Sequence, residues 1–154
     1  MRSLPSRLIL SLFPGVDLFS MPFEERGFSV VRGPDLIFGR DIRDFHIPKG
    51  VFGGVIAGSP CQEFSSLNRS EPTGYGLDML AEFSRVVIEG QPDWWLLENV
   101  SRVPDVKISG YNWQRFSLDL GWFTDCSRLR HFQFGSKTDV VLNPPIRTVR
   151  AVKH

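Results

Sequence analysis

Two short stretches of this chain hold residue types that can do covalent chemistry. Cys61 sits in Gly58-Ser59-Pro60-Cys61-Gln62-Glu63-Phe64-Ser65, a polar turn after the apolar run Val51–Ala57. A cysteine on such a turn can face a ligand, and with thiolate character it is a nucleophile. The second stretch is Glu98-Asn99-Val100, which ends the apolar run Trp94-Trp95-Leu96-Leu97. Burial disfavours a carboxylate anion, so a carboxyl in that setting can stay protonated and donate a hydrogen bond. Taken alone, each residue also has a plainer reading. A lone cysteine is most often a small buried hydrophobe, and a strand-end glutamate is a surface acid or a cap. Asn99 reads as a turn-fixing residue and Cys126 as structural.

The elements that would position them alternate in type. Arg7–Phe13 is a strand candidate stopped by Pro14-Gly15, and Asp17–Arg26 is helical, with Pro22 forcing a late start or a bend. Phe28–Arg32 is a second strand, followed by Asp35, 20 residues after Gly15. Strand, glycine turn, helix, strand and acid describe a Rossmann-like nucleotide site, in which the acid accepts from ribose hydroxyls. An ordinary strand–turn–helix with a surface acid fits the same pattern. The Val51–Ala57 run is a buried strand, and Glu63–Gly76 is a polar loop of a length that is usually functional or disordered. Leu77–Glu89 reads as a helix with an apolar face of Leu77, Leu80, Ala81, Phe83, Val87 and Ile88. The strand Asp93–Leu97 follows it. Strands alternating with helices predict a mostly parallel α/β sheet. Farther on, a helix is expected from about Asn112 to Gly121, with Trp113 and Trp122 in the core. Trp122–Thr124 and Arg130–Phe134 read as the arms of a C-terminal antiparallel hairpin, and Thr138–Leu142 as a last strand.

Pro60-Cys61-Gln62 and Glu98-Asn99-Val100 together resemble the cysteine and glutamate motifs of the cytosine-5 DNA methyltransferases, in that family's order. The resemblance spans about residues 8 to 142. Leu12-Phe13-Pro14-Gly15 resembles the start of the family's S-adenosylmethionine loop, and Gly39-Arg40-Asp41-Ile42 its Gly-Asp-Ile motif with one residue inserted. Arg128-Leu129-Arg130 resembles the end of its Gln-x-Arg-x-Arg motif, with Cys126 at the Gln position. Asp17 and Leu18 stand where the family has two further glycines.

The resemblance implies a Rossmann-like methyltransferase sheet and S-adenosylmethionine as cofactor. Phe13 would lie near the adenine, Gly15 and Pro60 along the cofactor and Asp35 at the ribose. Asp41 would accept from the adenine amino group while Ile42 packs on the ring. Cys61 would attack C6 of cytosine, Glu98 would donate to N3, and Arg128 and Arg130 would brace the carbonyl oxygen and the cysteine loop. Gln62, Ser65 and Arg69 would meet the nucleic acid, whose target base must leave the duplex.

At 154 residues the chain suits one domain, read as a single catalytic unit over 1–154 without a separate target-recognition domain. The 42% hydrophobic share excludes a disordered chain. No apolar stretch approaches the ~20 residues of a membrane span, His46, His131 and His154 are isolated, and two cysteines alone do not argue for a secreted scaffold. A cytoplasmic protein is expected, with no membrane partner. Residues 1–100 carry 9 Lys+Arg against 13 Asp+Glu, and residues 101–154 carry 9 against 4. That basic end is compatible with a polyanion.

The reading is a methyltransferase acting on cytosine C5 in DNA. The alternatives are the catalytic subunit of a split enzyme, served by a recognition subunit or a homodimer, and an RNA cytosine methyltransferase. A DNA-binding or decoy protein without turnover is the alternative of another class.

Overall fold

In the computed structural model, residues 6–14, 19–58, 73–119 and 128–144 are described. Their centre is a six-stranded sheet. In chain order the elements are β1 (Leu8–Leu12), α1 (Met21–Glu25), β2 (Ser29–Arg32), β3 (Gly54–Gly58), α2 (Tyr75–Gly90), β4 (Trp94–Asn99), β5 (Asn112–Asp119) and β6 (Leu129–Ser136). The order across the sheet is β2-β1-β3-β4-β6-β5. β2, β1, β3 and β4 run parallel. β6 pairs antiparallel with both β4 and β5. This is the expected α/β class, mostly parallel with an antiparallel hairpin at its C-terminal side.

The two sheet faces are built differently. On one, Leu10, Leu12, Val55, Ala57, Trp95 and Leu97 pack against Met79, Leu80, Phe83, Val86 and Val87 of α2. Trp95 and Phe83 have no exposed surface and meet edge to face, with centroids 5.6 Å apart. A Cβ on Gly135, the cross-strand neighbour of Trp95, would stand 2.2 Å from the indole Nε1, so only glycine fits there. The other face carries a row of rings. Phe23 stacks on Trp94 at 5.9 Å, Phe19 touches Phe132 at 6.2 Å, and Phe116 stacks on Phe132 at 5.5 Å. The short α1, with Pro22 in its first turn, joins this second face.

Four sequence expectations need correction. Asn112–Asp119 is a strand, not a helix. Trp113, Phe116 and Leu120 are spaced as on a helix, yet the segment gains eight cross-strand pairs with β6, and β-formers on a pleated surface win. The hairpin arm is therefore β5 itself; Trp122–Thr124 lie outside the described residues. Thr138–Leu142 is not a strand: its end is tied down by the Gln114 side chain, which donates to the Leu142 carbonyl and accepts from its N–H. On α2, Leu77, Ala81 and Ile88 face solvent, and Met79 and Val86 replace them in the core. Trp113 is half-buried against the core, and β4 runs on through Asn99.

Candidate active site

The chain runs from β1 to β2 on one side of it, and then from β2 back across to β3 on the other side. In open α/β sheets, ligands bind outside the carboxyl ends of the strands at such a switch point. Phe13 follows β1 directly, half-buried against the core, with φ at 53°. A non-glycine residue held in that left-handed region costs ~1–3 kcal/mol, and such positions cluster at ligand sites. Asp35 follows β2, as the sequence predicts. Its carboxylate accepts from the Ile37 N–H at 3.0 Å and starts a 3-10 turn, Leu36–Phe38. Leu36, Ile37 and Phe38 are 53%, 67% and 66% exposed, an apolar surface beside an acid that sequence reasoning did not single out.

Asp41 starts a second 3-10 turn, Ile42–Asp44. Both its carboxylate oxygens accept from the Arg43 guanidinium, and Oδ1 also accepts from the Arg43 N–H at 2.9 Å. Those bonds hold the Asp41 carboxyl down to about 2. Ile42 is 2% exposed and belongs to the core.

Glu98 lies near the carboxyl end of β4, in register with Gly58 at the end of β3. The two are close neighbours: a Cβ built on Gly58 would lie 3.4 Å from Oε2, in van der Waals contact. The chain beyond Gly58 leads into Pro60-Cys61-Gln62. Those three residues, with Gly15, Ser65, Arg69 and Cys126, lie outside the described residues.

On the far side of Glu98, Phe132 is its cross-strand partner, and Arg130 is one diagonal step away. The Arg130 Nε donates to Glu98 Oε1 at 2.9 Å. Two opposed influences therefore act on this carboxyl. Burial pushes it up, and the charges of Arg130 and Arg128 pull it down; burial wins, so the carboxyl binds its proton more tightly than usual. Arg128 is exposed, and its backbone N–H donates to Asp119 Oδ1 at 2.9 Å. The structure thus brings Glu98 and Arg130 into contact, while Arg128 reaches Glu98 by charge alone.

The segment after Glu98 is fastened by Asn99, the turn-fixing residue expected from the sequence, and by Arg115 and Gln133, which the sequence reading missed. Asn99 Oδ1 accepts from the Val100 N–H, fixing the turn. Arg115 donates to the carbonyls of Ser101 and Val103 and to Asp105. Gln133, 1% exposed, accepts from the Val106 N–H and donates to the Pro104 carbonyl. A signal existed: Gln133 is a polar residue between Phe132 and Phe134 on a strand. Among the described residues no cluster of three metal-ligating side chains is found, and no helix is long and apolar enough to cross a membrane.

Comparison with known proteins points to one family. The family model for C-5 cytosine-specific DNA methylase matches residues 35–116, more than half the chain. That span holds Asp35, Asp41, the Cys61 turn and Glu98, and stops short of Arg128 and Arg130. The Type II methyltransferases M.HgiDI and M.HgiGI of Herpetosiphon aurantiacus are each 35% identical over 54 residues. Those residues are 35% of this chain, and 18% and 43% of the two relatives. The chain therefore matches less than half the length of either.

Three solved structures share the fold. A protein described as a DNA modification methyltransferase encoded within an E. coli prophage has a TM-score of 0.64 at 23% identity, over 84% of this chain and 46% of its own. The Entamoeba histolytica methyltransferase EhMeth has 0.65 at 11%, over 94% and 57%. The S. pombe Dnmt2 methyltransferase has 0.60 at 16%, over 88% and 52%. With the family match covering its Cys61 turn and Glu98 strand, the chain belongs to the C-5 cytosine-specific DNA methylase family.

Proposed function

We propose that this chain transfers a methyl group from S-adenosylmethionine to C5 of cytosine in DNA through a covalent bond to Cys61. The observation that carries the reading is Glu98: a carboxyl whose proton affinity is raised by burial, in register with the strand that leads into the Pro60-Cys61-Gln62 turn.

The C5 carbon of cytosine is a poor nucleophile. Addition of the Cys61 thiolate to C6 moves electron density onto C5 and N3. The proton on Glu98 meets the charge at N3, and Arg130, held against Glu98, supports the ring oxygen side together with Arg128. C5 would then take the methyl group as the donor's sulfur–methyl bond breaks and the donor leaves as a neutral thioether. Loss of the C5 proton to a base and return of the N3 proton to Glu98 expel the Cys61 thiolate and restore the ring. A sulfonium methyl donor supplies an activated methyl group when bound.

The residues at the switch point fit such a donor. Asp35 offers a carboxylate to a ribose diol at the end of β2, and the exposed Leu36–Phe38 turn beside it offers apolar surface to a purine. Phe13, Gly15 and Pro60 complete the assignment, whereas Ile42, expected on the adenine ring, is 2% exposed in the core and offers the ring no surface. An adenine amino group at Asp41 would share its oxygens with Arg43 or displace that side chain. Gln62, Ser65 and Arg69 are assigned to the nucleic acid. One catalytic domain is the proposed unit, with DNA as its substrate and a separate recognition subunit or a second copy as the further proposed partner; the chain spans about half the length of its solved neighbours.

Mass-spectrometric nucleoside analysis tests the reading. DNA incubated with the protein and S-adenosylmethionine should gain 5-methylcytosine. Methylation confined to an RNA substrate would move the assignment to RNA. No methylation of either, with or without a recognition partner, would contradict it.

A further inference from the structure

Midway along α2, Arg85 makes contacts that the proposed chemistry does not use. Its Nε donates to Glu82 Oε2 at 2.6 Å and its Nη1 to Glu89 Oε1 at 2.9 Å, one helical turn to either side. These two carboxylates fix the plane of the guanidinium and aim its remaining nitrogen off the helix. There Nη2 donates to two backbone carbonyls, Ile42 at 2.8 Å and Phe45 at 3.0 Å. Both belong to the turn that begins at Asp41. Glu89 adds a second tie to the same segment, with Oε1 3.2 Å from His46 Nδ1. Inside the turn, the N–H of Phe45 donates to the Ile42 carbonyl at 3.0 Å, so Arg85 grips a carbonyl that also closes the turn.

We infer that Arg85 is a positioning residue for methyl-donor binding, acting through the 41–46 segment that it pins to α2; this rests on the assignment of Asp41 to the donor given above. The physical case is one of geometry. Asp41, with 23% of its side chain exposed, lies on a segment that contains no strand and no α-helix. Ile42 anchors that segment from inside the core. Arg85 anchors it from the side, through backbone acceptors that no side-chain substitution in the turn can remove. A planar fork serves two carboxylates and two carbonyls at once, whereas a lysine ammonium on a flexible stem cannot hold all four.

The test is calorimetric titration of S-adenosylhomocysteine into the full chain and its Arg85→Lys, Arg85→Met, Asp41→Ala and Arg85→Met/Asp41→Ala variants. Binding of a DNA duplex and amide exchange are measured on the same samples. Arg85→Lys should weaken the affinity by about tenfold, the scale of one lost hydrogen bond to a charged group, and Arg85→Met should weaken it further. The double variant should bind no more weakly than Asp41→Ala, since Arg85 acts only through that residue's segment. Amides of Asp44 and Phe45 should exchange faster in Arg85→Lys while that of Val106, held by Gln133, is unchanged, and duplex binding should stay at the wild-type level. Arg85 variants with wild-type affinity, or losses that add to that of Asp41→Ala, would overturn the inference. Wild-type affinity in Asp41→Ala, or no binding by the wild type, would instead overturn the assignment of Asp41 beneath it.

Discussion

Glu98 and Asp41 are both carboxylates with an arginine partner, and they are pushed in opposite directions. Asp41 lies on a short turn with 23% of its side chain exposed, and Arg43, two residues away, covers both of its oxygens. Hydrogen bonds dominate there and hold the carboxyl at about 2. Glu98 meets Arg130 across the sheet, beside Phe132 and the rings that Phe132 touches. There burial dominates and the carboxyl is pushed up, although its ion pair is 2.9 Å long. The lesson is that an arginine neighbour does not by itself set a carboxyl's charge. The two carboxyl side chains are about equally exposed, 23% and 28%, so exposure does not separate them. Asp41 accepts from the Arg43 guanidinium and N–H together, bonds that favour the anion. Glu98 instead meets Arg130 through Oε1 beside a row of rings, where loss of hydration outweighs the ion pair. One fold thereby holds an acid suited to accepting hydrogen bonds and an acid suited to donating one.

The contrast breaks most severely if Glu98 is removed. Glu98→Ala should lower the rate of methyl transfer by ~10²–10⁴-fold, the usual contribution of a positioned acid, with S-adenosylhomocysteine affinity unchanged. A rate within about threefold of wild type would remove Glu98 from the chemistry. The next largest effect is expected from Arg130→Met. Losing an electrostatic brace should slow turnover by about 10²-fold. It should also raise the Glu98 carboxyl further, because the ion pair that pulls it down is gone.

The sign of the pH dependence follows from the direction of that shift. A folded-state value above the ordinary 4.5 means that Glu98 stabilises the fold below that pH. The contribution is lost as pH rises through the folded value. Protonated Glu98 is also the active form in the proposed chemistry, so activity should fall over the same rise. In Arg130→Met that alkaline limb should move to higher pH, and a limb that stays in place would show that another group sets it.

The smallest effect belongs to the turn. Arg43→Met should let the Asp41 carboxyl climb from about 2 toward its ordinary 3.8, readable by NMR titration. The low value marks a contribution present above pH 3.8 and lost as pH falls toward 2, so the variant should lose its acid sensitivity over that range. Donor affinity should rise by a few-fold at most, on the small scale of exposed ion pairs. An unchanged Asp41 titration would mean that the turn's backbone, not Arg43, holds the anion.

The parallel half of the molecule was legible in the sequence because its signals are local. β1, β2, β3 and β4 are apolar runs bounded by Pro, Gly or charged residues, and α2 repeats at helical spacing. Glu98 at a strand's carboxyl end and Asp35 after β2 came from the same punctuation. What escaped depends on distant partners. β5 looked helical until β6, beyond a long connection, gave it a cross-strand register. The contact between Glu98 and Arg130 joins residues 32 positions apart, and nothing periodic in the chain announces it. Arg85 was invisible for another reason: its acceptors are backbone carbonyls, which every residue possesses. Phe13 ran against local expectation as well, since a residue before proline is biased toward extended backbone, yet it sits at φ 53°.

The central claim is that Cys61 forms a bond to the target base while Glu98 donates its proton. It is tested most directly with duplex DNA carrying 5-fluorocytosine, whose fluorine cannot leave as the C5 proton does, so the covalent intermediate accumulates. In the presence of S-adenosylmethionine, and of a recognition partner where one is needed, the wild type should yield an adduct that peptide mass spectrometry places at Cys61. The adduct should be absent in Cys61→Ser and should form far more slowly in Glu98→Ala. An adduct at Cys126, or none at all from a protein that methylates ordinary DNA, would contradict the account.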